Sequence, residues 1–364
     1  MNGDLSDFTT ATDAIEEGAN LSTDTGGWPY FHLSGQEYWV IVLIVVSFGL
    51  VGNVFSFLLM SDGQFSLLSY PVYLKALALS DSVQMIIKVV EETELTFGYT
   101  HVSHLNNIIC KLWQYVRYST MMLSPWLVVG LSLDRLVCVL FPITRDRFCT
   151  KKKALVICSC LALVFAVVML PVLTSLRVEG GLCGGRRVSD ALIALFIAIR
   201  LVLSSTLPCL LIFILNVAII VRIRRSATFR KTFTPSSARS NQDSSTRPLV
   251  LVSVIAFLTL LPFSIAECVQ VLLSLTQIDL KALLLTMELW PLFHLIYMLN
   301  FGLNFYILVS SSANYRKILA AKIRCSHCKP KTQMLQRNMS TNPQNATVTT
   351  SLADVPTATA ELSK

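Results

Sequence analysis

The groups in this chain that could do chemistry sit where an apolar setting makes them costly. Asp134-Arg135 lies near one end of the apolar stretch Asn107–Leu140, and Cys110 near the other. As helix, the segment from Cys110 to Arg135 would run about 37 Å, the thickness of a bilayer with its interfaces. An acid–base pair would then meet one membrane face and a half-cystine candidate the other. Asp81 stands midway along a second apolar stretch, where a carboxylate is by default functional or paired. No phosphate-cradling loop, metal cluster or nucleophile–base constellation is apparent, so the expectation is not an enzyme.

The elements that must position these groups are membrane helices. The 364 residues are 53% hydrophobic and only 14% charged, outside the range of a soluble protein of this length. Tyr38–Met60 and Ala154–Leu176 contain no charged side chain, and each is long enough to cross the hydrocarbon core. Further runs give helices near 38–60, 71–93, 107–140, 153–176, 190–223, 248–274 and 282–309. In lipid every backbone polar group must be satisfied within its own segment, so the runs are helical. They are also too long for barrel strands. The expected fold is an all-α membrane protein, a seven-transmembrane helix bundle over 38–310. An extracellular tail (1–37) precedes it; an amphipathic eighth helix (311–328) and a disordered cytoplasmic tail (329–364) follow.

The net charge of +8 does not point to nucleic acid, because of where it lies. With the amino end outside, the cytoplasmic pieces 141–153, 222–248 and 310–364 hold twenty Lys or Arg against four in the outer pieces. That is the positive-inside bias. The first 37 residues hold seven acids and no base, so no cleavable signal is expected in them. Asn20-Leu21-Ser22 is a glycosylation acceptor there, a pattern that also arises by chance. Of ten cysteines, Cys110 and Cys183 fall where an oxidising lumen would see them, and a bridge would pin the outer loop over the bundle. Cys325 and Cys328 are either acylated or ordinary cytosolic thiols, since zinc would need a second pair.

Several motifs then follow in order. They are Gly52-Asn53-Val54, Leu77-Ala78-Leu79-Ser80-Asp81, Ser132-Leu133-Asp134-Arg135-Leu136 with Phe141-Pro142, Pro208, Leu261-Pro262-Phe263, Asn300-Phe301-Gly302-Leu303-Asn304-Phe305 and Tyr315-Arg316-Lys317. With the seven runs, Cys110 and Cys183, they make the chain resemble a rhodopsin-like (class A) G-protein-coupled receptor from about Tyr38 to Cys328. It departs from that pattern at Leu260, where a Trp is usual, at Asn216 and Leu308, where Tyr is usual, and at Phe305, where Pro is usual. Asn-Phe in helix seven resembles the neuropeptide receptors of the FMRFamide and myoinhibitory-peptide types.

The resemblance implies a plasma-membrane receptor that activates heterotrimeric G proteins, with Asp134 and Arg135 as its switch. It implies a sodium ion among Asp81, Ser124, Asn300 and Asn304; a hydrogen-bonded polar core without an ion is the other reading, and no other cofactor is expected. Helical phase and family position together turn Glu91, Glu92, Arg117, Tyr118, Met121, Arg200, Glu267, Gln270, Glu288, His294 and Tyr297 toward an outer cavity. Two Arg and four Glu in one vestibule suit a peptide with a cationic side chain. The alternative ligand is a small acidic metabolite or lipid on Arg117 and Arg200; a carrier or channel is the remote alternative. Receptor kinases and arrestin are expected partners of the Ser/Thr-rich loop Arg222–Arg247 and tail, both read as disordered. Membrane lipid is the expected partner of the basic stretch Tyr315–Arg324.

Overall fold

The computed structural model describes residues 35–141, 145–179, 182–185, 198–233, 242–276 and 280–327. Asn20, Cys328 and the tail 329–364 lie outside them, as do the side chains of Gln270, Glu288 and Cys325. The main helices are α1 (Gly35–Met60), α2 (Tyr70–Phe97), α3 (Asn107–Leu140), α4 (Lys151–Val168) and α5 (Leu207–Phe233). They continue with α6 (Gln242–Thr276), α7 (Leu280–Gly302), α8 (Asn304–Ser311) and α9 (Ala313–His327). Helix α3 packs against α2, α4, α5 and α6, while α7 touches α6, α2 and α1 and closes the ring.

The bundle is apolar on both sides of its helices. Val42 and Val46 of α1 are buried while Ile44, Phe48 and Val51 face outward. On α4 only Ala154, Cys158 and Phe165 are buried, and Leu155, Val156, Leu163, Val164 and Val167 are exposed. A helix that is hydrophobic all round belongs in lipid or in a large core. Five helices among the described residues are long and apolar enough to cross a membrane, and the bent pair Leu289–Gly302 and Asn304–Ser311 makes a sixth. Helix α2 is not among them, because Lys75, Asp81, Lys88, Glu91, Glu92 and Glu94 lower its hydropathy.

Prolines shape several of these helices. A π-turn over Val202–Thr206 precedes α5, with the Leu207 N–H reaching back to the Val202 carbonyl. Pro208 has no N–H to give the Leu203 carbonyl; the Trp126 indole N–H of α3 donates to it at 2.8 Å instead. Between α7 and α8 the axis turns by 57° without any proline. The Asn304 side-chain amide donates to the Asn300 carbonyl at 3.4 Å, entering the ladder as an inserted side chain does at a kink. Phe305 in place of Pro therefore does not straighten this helix.

Three sequence readings need correction. Leu176–Glu179 and Leu182–Gly185 form a small antiparallel hairpin, with Val178 opposite Cys183, so the chain is not wholly helical. Gly180-Gly181 was the local signal for it. The Arg222–Arg247 loop is not disordered throughout, since α5 runs on to Phe233 and α6 begins at Gln242. Polarity there does not mean loss of helix, because Arg, Lys and Ala are good helix formers. The fourth run breaks at Met169, and a short helix, Leu170–Ser175, with Pro171 in its first turn, carries on from it.

Candidate functional site

The disulfide end is built first by capping. Asn106 accepts the N–H groups of Ile108 and Ile109 and starts α3. Asn107 then accepts the Val178 N–H of the hairpin at 2.7 Å. One residue turn on, Cys110 is joined to Cys183, Cα–Cα 5.7 Å. Glu94 of α2 takes the Val102 N–H at 2.8 Å and contacts His101 Nδ1 at 2.9 Å, fixing the α2–α3 connection. Beside it, partial desolvation and the neighbouring His101 hold His104 below the usual histidine range.

Under this cover lies a cavity of about 730 Å³, counting the space at its mouth, walled by α2, α3, α6, α7 and the start of the fifth span. Glu91, Arg117, Met121, Arg200, Glu267, His294 and Tyr297 line it. Two of its ion pairs cross between helices. Arg117 Nε stands 3.3 Å from Glu91, which also accepts from the Trp113 indole. Arg200 donates to Glu267 at 3.1 Å, and Ser205 gives the same carboxylate its second bond at 2.8 Å. Lys88 is bonded to Glu92 one helical turn away. The floor is aromatic: Phe263 stacks on Tyr297 at 4.3 Å, meets His294 edge-on and lies tilted against Trp290. His294 Nδ1 is buried without a hydrogen-bond partner among the described residues.

Two expected residues fall elsewhere. Tyr118 packs against the Met122, Phe165, Met169 and Val172 cluster beside α4, because its position on α3 follows Arg117 by one residue and so turns away. Glu92 is buried against Lys88 and is not part of the cavity wall. Conversely Gln84, Lys88 and Phe263 do line it. Gln84, Lys88 and Glu91 share one face of α2 at helical spacing, a signal available in the sequence.

Midway down the bundle Asp81 is fully buried. Ser124 donates to one carboxylate oxygen and Asn304 to the other, the latter at 3.0 Å. Both donors are neutral, so the carboxylate has no counter-charge among its direct partners. Asn53 donates to the Phe301 carbonyl at 3.2 Å, and its own Oδ1 is buried without a partner among the described residues. As built, the carboxylate is held by a hydroxyl and an amide nitrogen that both donate to it, the hydrogen-bonded polar core, and those same side chains carry the oxygens a small hard cation would take.

At the opposite end Arg135 is 7% exposed. Its guanidinium bonds Asp134 and donates to Ser69 at 3.1 Å. Ser69 in turn donates to Asp134 at 2.8 Å, and Arg135 lies over the Tyr70 ring. Ser69 and Tyr70, at the start of α2, complete this lock and were not picked out from the sequence. Next to it the Cys149 thiol is pushed up by its hydrogen bond with Cys138 and by burial.

A lipid-facing bundle with a polar cavity at one end and a locked arginine at the other defines a multi-pass membrane receptor. The model of the seven-transmembrane receptor (rhodopsin) family matches residues 39–308, and the chain belongs to that family. Its members are signalling receptors rather than enzymes, with a ligand and a G protein as partners. None of the curated proteins compared with the chain matches it.

Proposed function

We propose that this protein is a plasma-membrane receptor, amino end outside, that binds a peptide and activates a heterotrimeric G protein. The observation that carries the ligand class is the paired charge around the cavity, Glu91–Arg117 and Arg200–Glu267. A peptide with a cationic side chain and polar termini can exchange its own charges for these pairs. A purely anionic metabolite or lipid must strip a glutamate from each arginine, so that reading is weaker. His294 Nδ1 gives a further acceptor or donor for an amide. Asn-Phe in helix seven supports the neuropeptide type, and the basic loops support the orientation.

The crossing count is seven in this reading, with α2 as the span that hydropathy alone misses. Its acids are turned inward: Asp81, Glu92 and Glu94 are all buried. Helix α9 (Ala313–His327), which carries Arg316, Lys317, Lys322 and Arg324, lies along the anionic inner leaflet. A sodium ion at Asp81, Ser124, Asn300 and Asn304 would supply the missing counter-charge and hold the inactive packing. Asn20 is glycosylated, Cys325 and Cys328 are acylated, and kinases and arrestin act on the Ser/Thr-rich loop and tail.

Agonist shifts the bundle between two states. Arg135 leaves Asp134 and Ser69 and forms the floor of a G-protein cleft as α6 swings out. Arg135→Ala should abolish agonist-driven nucleotide exchange while surface expression survives; unchanged exchange would overturn the reading. Screening a neuropeptide library in cells supplies the agonist. With it in hand, Glu267→Gln should weaken a cationic peptide at least tenfold and Arg117→Gln should weaken it less, the reverse order marking an anionic ligand.

A further inference from the structure

We propose that Asp134, Cys138 and Cys149 form a binding site for a soft divalent metal ion, zinc in the cell. One ligand atom from each of the three side chains lies within 4.8 Å of the others. Asp134 and Cys138 share a face of α3 at the spacing of one turn. Cys149 comes from the loop after α3, where its Sγ donates to the Asp134 carbonyl at 3.6 Å. The Leu68–Thr150 bridge fixes the chain at the next residue. The site is therefore assembled by two elements that tertiary structure holds together.

Its chemistry is selective. Two sulfurs and one carboxylate prefer zinc or copper(I) to magnesium or calcium, which take oxygen alone. Tetrahedral zinc at the usual bond lengths puts its ligands about 3.6 Å apart, so side-chain rotation of about 1 Å closes the site. Ser69 and both Arg135 nitrogens bond Oδ2 of Asp134. Oδ1 accepts no hydrogen bond among the described residues. Each thiol releases its proton to water as the ion binds, and water takes the fourth position, because Cys149 is only half-buried. Bound metal would staple this loop to the residue that holds Arg135, tying the switch to metal availability. The proposal stands on the three side chains and is independent of the ligand class.

The test uses the full-length receptor in lipid nanodiscs, reduced and chelator-washed, titrated with cobalt(II) and then with zinc(II). Expected is a saturable thiolate-to-cobalt absorption band at one equivalent, bleached by zinc and not by magnesium. Cys138→Ser and Cys149→Ser should each abolish it, and Asp134→Asn should weaken cobalt at least tenfold. Zinc should also slow maleimide labelling of Cys149 at least tenfold, read by peptide mass spectrometry. Cys149→Ser lies in a loop, and its thermal midpoint without metal checks that it folds. A wild-type receptor without the band overturns the site, as does a band that survives both cysteine variants. Recovery of Cys138 and Cys149 as a disulfide, with no cobalt bound after reduction, overturns it in favour of a redox pair.

Discussion

Glu267 shows how much one buried side chain can hold. It is 2% exposed and accepts from both Arg200 and Ser205, on different turns of the fifth span. Glu267→Gln keeps the shape but removes the charge, and Arg200 loses its partner. Because Arg200 keeps some access to water, the loss should be nearer 1–2 kcal/mol than the about 3–5 kcal/mol of a dry pair. The thermal midpoint of ligand-free receptor should fall by several degrees, and an unchanged midpoint would show the pair to be idle. Asp81 allows a second check. Sodium chloride should raise the wild-type midpoint above that in choline chloride, and Asp81→Asn should erase the difference. Equal salt response in the two proteins would leave the carboxylate as a polar core residue.

At the scale of the element, the α1–α7 contact depends on glycine. A Cβ on Gly302 would lie 3.1 Å from the Gly49 Cα and 3.0 Å from Met85 Cε. The backbone of α1 cannot give way as a side-chain end can. Gly302→Val should therefore separate the helices, at a cost of about 1–3 kcal/mol or more, seen as a lowered midpoint and reduced surface expression. Gly63→Ala, which meets nothing within 4 Å, is the matched control and should be neutral. Helix seven was expected as one run, 282–309, yet it breaks at Leu303, where Asn304 turns its amide to Asn300 and Asp81. Hydropathy sees the run and not the competing hydrogen bond.

At the scale of the molecule, the charge asymmetry makes a prediction about sidedness. An epitope placed before α1 should be labelled on intact cells, and one placed after α9 only after permeabilisation. Labelling of both on intact cells would remove the receptor orientation together with the seven-crossing count. The first crossing, near Tyr38–Met60, carries no positive flank on either side, so the basic residues of 141–153, 222–248 and 310–364 must set the topology.

Periodic apolar length and the cost of unpaired backbone in lipid were enough to read helices and their order from the chain, while the inward polar residues needed the family resemblance beside helical phase. Those properties are local, so a one-dimensional pattern contains them. Which charge meets which, that Tyr118 turns to α4, that Ser69 locks Arg135 and that Cys149 reaches Asp134 were decided only when helices far apart in sequence packed together. Ion pairs, hydrogen bonds and metal ligation act over a few ångströms, and no pattern along the chain fixes distances across a bundle.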